Sequence, residues 1–103
     1  MRTRLDLDNV LREIARDKAT VYFQPPENTI MKYPAIRYSR YDIEAYHADN
    51  APYIVSTGYQ ITLIDPNPDS EFVEQIMMIP GCRFDRHYES DNLNHDVFTV
   101  YLN

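Results

Sequence analysis

Residues 53–64 read Tyr-Ile-Val-Ser-Thr-Gly-Tyr-Gln-Ile-Thr-Leu-Ile. Tyr53, Val55, Thr57, Tyr59, Ile61 and Leu63 fall on one side of an extended chain. Ile54, Ser56, Gly58, Gln60, Thr62 and Ile64 fall on the other. A period of two sustained this long fits a strand and no helix. It demands a sheet with at least one buried face, so some other element has to cover that face.

The cover follows directly. Residues 65–81 read Asp-Pro-Asn-Pro-Asp-Ser-Glu-Phe-Val-Glu-Gln-Ile-Met-Met-Ile-Pro-Gly. Asn67 is a good N-cap, Pro68 suits a first helical position, and Asp69 and Glu71 favour the positive end of the helix dipole. Phe72, Val73, Ile76, Met77 and Ile79 form an apolar face opposite Glu71, Glu74 and Gln75. Pro80-Gly81 ends the helix. The pattern predicts a helix of about three turns.

The flanking segments extend the order. Leu7, Val10, Leu11 and Ile14 predict a first helix over residues 6–18, capped by Asp6 or Asp8. Residues 21–24 read as a short strand stopped by Pro25-Pro26. Residues 27–29 read as a turn, and 30–41 as a second strand in which Pro34 favours an edge or a start. Residues 42–52 read as a polar connector, longer than a tight hairpin needs. Cys82, Phe84 and Tyr88 share one face of a strand over 82–89, opposite Arg83, Asp85, His87 and Glu89. Residues 90–96 read as a polar turn. Residues 97–102 are apolar on both faces, which asks for cover on both. The order is αβββαββ. It predicts an α+β fold, a mostly antiparallel four- to five-stranded sheet with two helices packed on one face.

At 103 residues the chain is expected to form one domain. A net charge of −6 argues against binding nucleic acid by phosphate neutralisation. A single Cys leaves no internal disulfide. No apolar run is long enough to span a membrane, and the first residues lack a signal-peptide core. A soluble protein made and kept in a cytoplasm is expected. Nine Tyr and no Trp suit half-buried sheet faces and interfaces.

Catalytic constellations are scarce. Cys82, His87, His95 and Asp96 lie close in sequence, but no two have a zinc-site spacing. Cys82 also falls on the face opposite His87, where it reads as a small buried hydrophobe. A Cys–His nucleophile lacks any marker of an oxyanion hole. Two glycines cannot build a phosphate-cradling loop. The paired carboxylates, Asp6 with Asp8 and Asp65 with Asp69, are explained by helix capping. No enzymatic activity, metal or cofactor is expected. The charged face of the 82–89 strand reads either as a solvated surface or as a contact face whose charges set partner and register.

Three segments, read together, resemble a known family. They are Val-Tyr-Phe-Gln-Pro-Pro-Glu at 21–27 with Met-Lys-Tyr-Pro-Ala-Ile at 31–36; Tyr-Gln-Ile-Thr-Leu-Ile-Asp-Pro-Asn-Pro-Asp-Ser at 59–70; and Pro-Gly-Cys-Arg-Phe-Asp-Arg-His-Tyr at 80–88 with Asp-Asn-Leu-Asn-His-Asp-Val-Phe at 91–98. The chain resembles the small tail-completion or tail-terminator (head–tail joining, minor capsid) proteins of long-tailed phages and prophages of Gram-positive bacteria.

The resemblance implies a structural virion protein of the phage neck, at the head–tail junction. It would be assembled in the bacterial host cytoplasm as a ring, six copies being expected. The implied partners are further copies, the tail-tube protein and a head-connector or stopper protein. DNA would pass through without sequence-specific binding. A stopper, or a phage-encoded module acting on a host protein, are the alternatives. Contact residues are expected on the second strand and connector (Tyr38, Arg40, Tyr41, Tyr46, His47). The charged strand adds Arg83, Asp85, Arg86 and His87. The turn and last strand add Asn92, His95, Asp96, Val97 and Tyr101.

Overall fold

A computed structural model describes residues 3–102, with Pro52 and Tyr53 described in their backbone alone. The placing of Tyr53 on the apolar face, and Met1 and Arg2 of the leading segment, lie outside the described residues. The chain runs α1 (Arg4–Ala15), β1 (Thr20–Phe23), β2 (Ala35–Ala48), β3 (Ala51–Asp65), α2 (Phe72–Met77), β4 (Arg83–Ser90) and β5 (Leu93–Leu102). The class is α+β, in the predicted order. The five strands form one sheet, ordered β1-β2-β3-β5-β4. It is mixed: β1 runs parallel to β2, and the other three pairings are antiparallel.

The core lies on one face of the sheet. Leu7, Leu11 and Ala15 of α1 and Phe72, Ile76 and the following Ile79 of α2 pack with Ile36, Tyr38, Ile61, Leu63, Phe98 and Val100. Each enclosed aliphatic side chain there contributes about 1.5–3 kcal/mol of burial. Phe84 meets Phe98 edge-on, their ring centroids 5.6 Å apart.

Several boundaries differ from the sequence expectation, each for a local reason. Thr3, not Asp6 or Asp8, caps α1: its hydroxyl accepts from the Asp6 N–H while the Asp6 carboxylate accepts from the Thr3 N–H. Asp8 is thereby free to accept from Arg12 at 2.6 Å. The helix stops at Ala15, before the expected Lys18, because Arg16 turns to φ 53°.

α2 has six residues, under two turns and far shorter than the expected three. The Asp65 carboxylate accepts from the Asn67 N–H, the Asn67 side chain from the Asp69 N–H, and the Ser70 hydroxyl from the Phe72 N–H. These short Asx- and Ser-turns satisfy the backbone without a helix, which is how such residues compete with helical turns.

Residues 30–34 are not strand, and β2 begins at Ala35. The expected connector over 42–52 is instead the distal half of a long hairpin, with only Asp49 and Asn50 turning between β2 and β3. Both have positive φ (54° and 64°), as a two-residue type I′ turn requires. Asp91-Asn92 repeats the device (55° and 63°), so the expected turn over 90–96 shrinks to two residues and β5 starts at Leu93.

A candidate subunit interface

The β2–β3 hairpin outgrows the rest of the sheet. β1 pairs only as far as Tyr38, and β5 ends at Leu102 opposite Thr57. Beyond that point β2 and β3 pair only with each other, from Ile43 opposite Thr57 to Ala48 opposite Ala51. The overhang is about 20 Å at 3.4 Å per residue. It accounts for the long axis of 51 Å against 26 and 22 Å.

This arm carries apolar side chains in the open. Ile43 and Tyr46 are each 55 % exposed, Val55 51 % and Ile54 38 %. Both of its backbone edges are unpaired, and a lone two-stranded ribbon is marginal in water. A bulge at Tyr41 sets its pleat. Register puts Ile43, Ala45 and His47, with Val55 opposite, on the side that faces the helices further down the sheet. Arg40 stands on that same side at the root. Asp42, Glu44, Tyr46 and Ile54 take the other side.

A tyrosine clamp fixes the root of the arm. The Tyr101 hydroxyl donates to the Asp42 carboxylate at 2.7 Å and lies 3.2 Å from the Tyr41 hydroxyl. The Tyr41 hydroxyl and the Asp42 carboxylate both push the Tyr101 pKa up. Gly58 sits beneath the Tyr101 ring.

The β4–β5 hairpin presents the charged face. All eight residues of β4 are exposed, so the inferred burial of its Phe84 and Tyr88 side is corrected (Phe84 is 46 % and Tyr88 41 % exposed), whereas Cys82, just before the strand, is partly buried against the core. An extra residue, Asp85, breaks the alternation between Phe84 and Arg86, and this is why the simple period of two fails. Asp85 accepts from the Thr99 hydroxyl at 2.5 Å. His87 lies 2.8 Å from the Asp96 carboxylate across the strands, and Tyr88 stacks on His95 at 4.6 Å. Bulge and charges together blunt this sheet edge against indiscriminate pairing.

Of the expected contact residues, Arg40, Tyr41, Tyr46, His47, Arg83, Asp85, Arg86, His87 and Asn92 are exposed, and His95 and Tyr101 are partly so. Tyr38 has no exposed surface, and Val97 has 1 %. Neither has a side chain to offer a partner. Tyr38 is a core residue under α1, and Val97 is enclosed on the helix-free face within the chain itself. Asp96, 8 % exposed, is committed to His87. Sequence reading missed Ile43, Ile54 and Val55 as exposed groups. The Asp49-Asn50 turn between alternating segments was the signal for the arm.

Among the described residues, no three of His, Cys, Asp and Glu come together to hold a metal ion. Burial first, then the Asp85 charge, pushes the Cys82 thiol up to about 11, which makes it a poor nucleophile near neutrality. A cleft of about 240 Å³ at the turn leading into α2 is lined by Asp65, Asp69 and Glu71 with Lys18, whose ammonium lies 3.5 Å from Glu71. The Asp65 carboxylate there is occupied in holding the turn. Among the described residues, no helix is long and apolar enough to cross a membrane.

No family model matches the sequence, and a search of the curated proteins finds no relative.

Proposed function

We propose that this protein is a structural subunit of a phage neck, assembling into a ring that ends the tail tube and joins it to the head connector. The observation that carries the proposal is the arm: a projecting ribbon with Ile43, Tyr46, Ile54 and Val55 exposed gains stability only in contact with something else. Assembly proteins need such elements; an enzyme of this size needs a converging polar site. A closed ring uses two different surfaces on each subunit, and the arm, at one end of a 51 Å molecule, offers one of them.

Charge supports the same reading. From residue 41 to residue 82 there is no Lys or Arg. Asp42, Glu44 and Asp49 mark the arm, and Asp65, Asp69, Glu71 and Glu74 mark the opposite end. An acidic channel wall would let DNA pass without adhering.

The test is native mass measurement with negative-stain imaging, for the protein alone and mixed with its own tail-tube protein. A ring of about six copies that seats on tube ends, whether or not it also forms alone, is the result expected of a closed cyclic assembly in this role. A monomer that ignores the tube overturns the terminator role. Capture of one bacterial host protein in the absence of phage proteins would favour the host-directed module instead.

A further inference from the structure

We infer that the helix-facing side of the arm docks on the exposed surface of α2 in a second copy of this chain. The inference rests on the ring reading above for the closure of the assembly, but its chemistry stands on the two surfaces. On the arm, Ile43, Ala45 and Val55 continue the apolar stripe of the core past the last residue that the helices cover. Arg40 and His47 flank that stripe, and register places no carboxylate on it. On α2, a groove of about 420 Å³ is lined by Val73, Glu74, Gln75, Met77 and Met78. Met78 is 80 % and Met77 39 % exposed, and Glu74 is the one charge in the groove.

The two surfaces are complementary in kind. Each is apolar at its centre, and the arm's flanking cation meets a groove with a single anion. Unbranched Met side chains adapt to the knobs of a ribbon. The arm's other side is a poorer fit for α2, because Asp42 and Glu44 would face Glu74.

Within one chain the two surfaces do not meet: Ile43 and Val55 on the arm and Met78 at the end of α2 are all more than half exposed, and beyond Thr57 the paired strands of the arm run on away from the sheet. The contact is therefore between copies, head to tail, and heterologous, so it closes into a ring or runs on as a filament.

Val55→Glu spoils the arm, and Met78→Glu spoils the groove; both positions are exposed, so the fold is kept and circular dichroism checks it. In sedimentation, each variant alone is expected to associate about thirtyfold more weakly than the wild type, the size of a hot-spot loss. Mixed in equal amounts, they form a one-to-one heterodimer and stop there, because the intact groove of one receives the intact arm of the other. Arg40→Glu and Glu74→Arg each weaken assembly, and the double variant regains it.

A wild type that stays monomeric at its highest soluble concentration overturns the inference. So does a Met78→Glu variant that assembles normally, which would point to arm–arm pairing. Arm variants that assemble normally and lose only their hold on tail tubes would assign the arm to the tube protein, and also overturn it. Tube-end binding is scored separately by imaging. Monomers that cap tubes sink this contact and spare the neck reading; rings that ignore tubes do the reverse.

Discussion

The Tyr38 hydroxyl, its side chain fully enclosed in β2, donates a 2.5 Å hydrogen bond to the Asp8 carboxylate of α1. Arg4 donates to the same hydroxyl at 3.1 Å while its guanidinium lies 4.3 Å over the Phe23 ring. Arg12 closes on Asp8 from the other side at 2.6 Å. One polar network thus pins the first helix to the parallel β1–β2 corner of the sheet. Removing the hydroxyl strips Asp8 of its shortest bond and leaves a largely enclosed carboxylate. Tyr38→Phe is expected to cost about 1.5–3 kcal/mol, as for hydrogen bonds to charged groups. Urea unfolding checks this: the midpoint falls and the slope stays unchanged.

The same network gives stability a defined pH range. Burial first, then the hydrogen bond to Asp8, pushes Tyr38 up to about 12. Stabilisation from this raised group is complete below its ordinary 10.0 and is lost as pH climbs through about 12. Burial pushes Asp8 up, but the bonds from Tyr38 and Arg12 outweigh it and hold it below its ordinary 3.8. Its share is present above 3.8 and is lost as pH falls through the lowered value. Thermal midpoints against pH are expected to fall on both limbs, and Tyr38→Phe is expected to flatten the alkaline one.

Gly58→Ala tests the tyrosine clamp. A Cβ at this position would lie 2.8 Å from Tyr101 Cε2 and 3.3 Å from Asp42 Cβ. The ring cannot easily retreat, because its hydroxyl is tied to Asp42. A loss of about 1–3 kcal/mol is expected, the usual cost of overpacking. In a Tyr101→Ala background most of that loss should vanish, and a double-mutant cycle measures the difference.

Cys82 should be sluggish toward alkylating agents. With its thiol raised from 9.0 to about 11, the thiolate population at pH 8 is about a hundredfold below that of an ordinary cysteine. Iodoacetamide labelling followed by mass measurement is expected to be correspondingly slow in the folded protein and normal in urea. Rapid labelling of the folded chain would reopen Cys82 as a reactive group.

Much of the fold was legible because it depended on local pattern. The alternation over 53–64 required a strand with a buried face, and Tyr59, Ile61 and Leu63 are buried together as that pattern demands. Leu7 and Leu11 marked the covered side of α1 in the same way. Chain order followed from these periods. The candidate site was less legible. Whether Val55 is core or surface depends on where β5 stops, four residues inward on the same strand lies buried Tyr59, and no local feature of Val55 records the difference.

What the sequence determined by itself was the set of elements and their amphipathic sides, because periodicity and caps are properties of neighbouring residues. The tertiary structure alone decided four things: the parallel β1–β2 pairing, the bulge at Asp85, the burial of Tyr38 and Val97, and the exposed arm. Each of these depends on which distant strand ends where. Side-chain cover is set by neighbours in space, and a stripe that is apolar in sequence is core only as far as another element reaches over it.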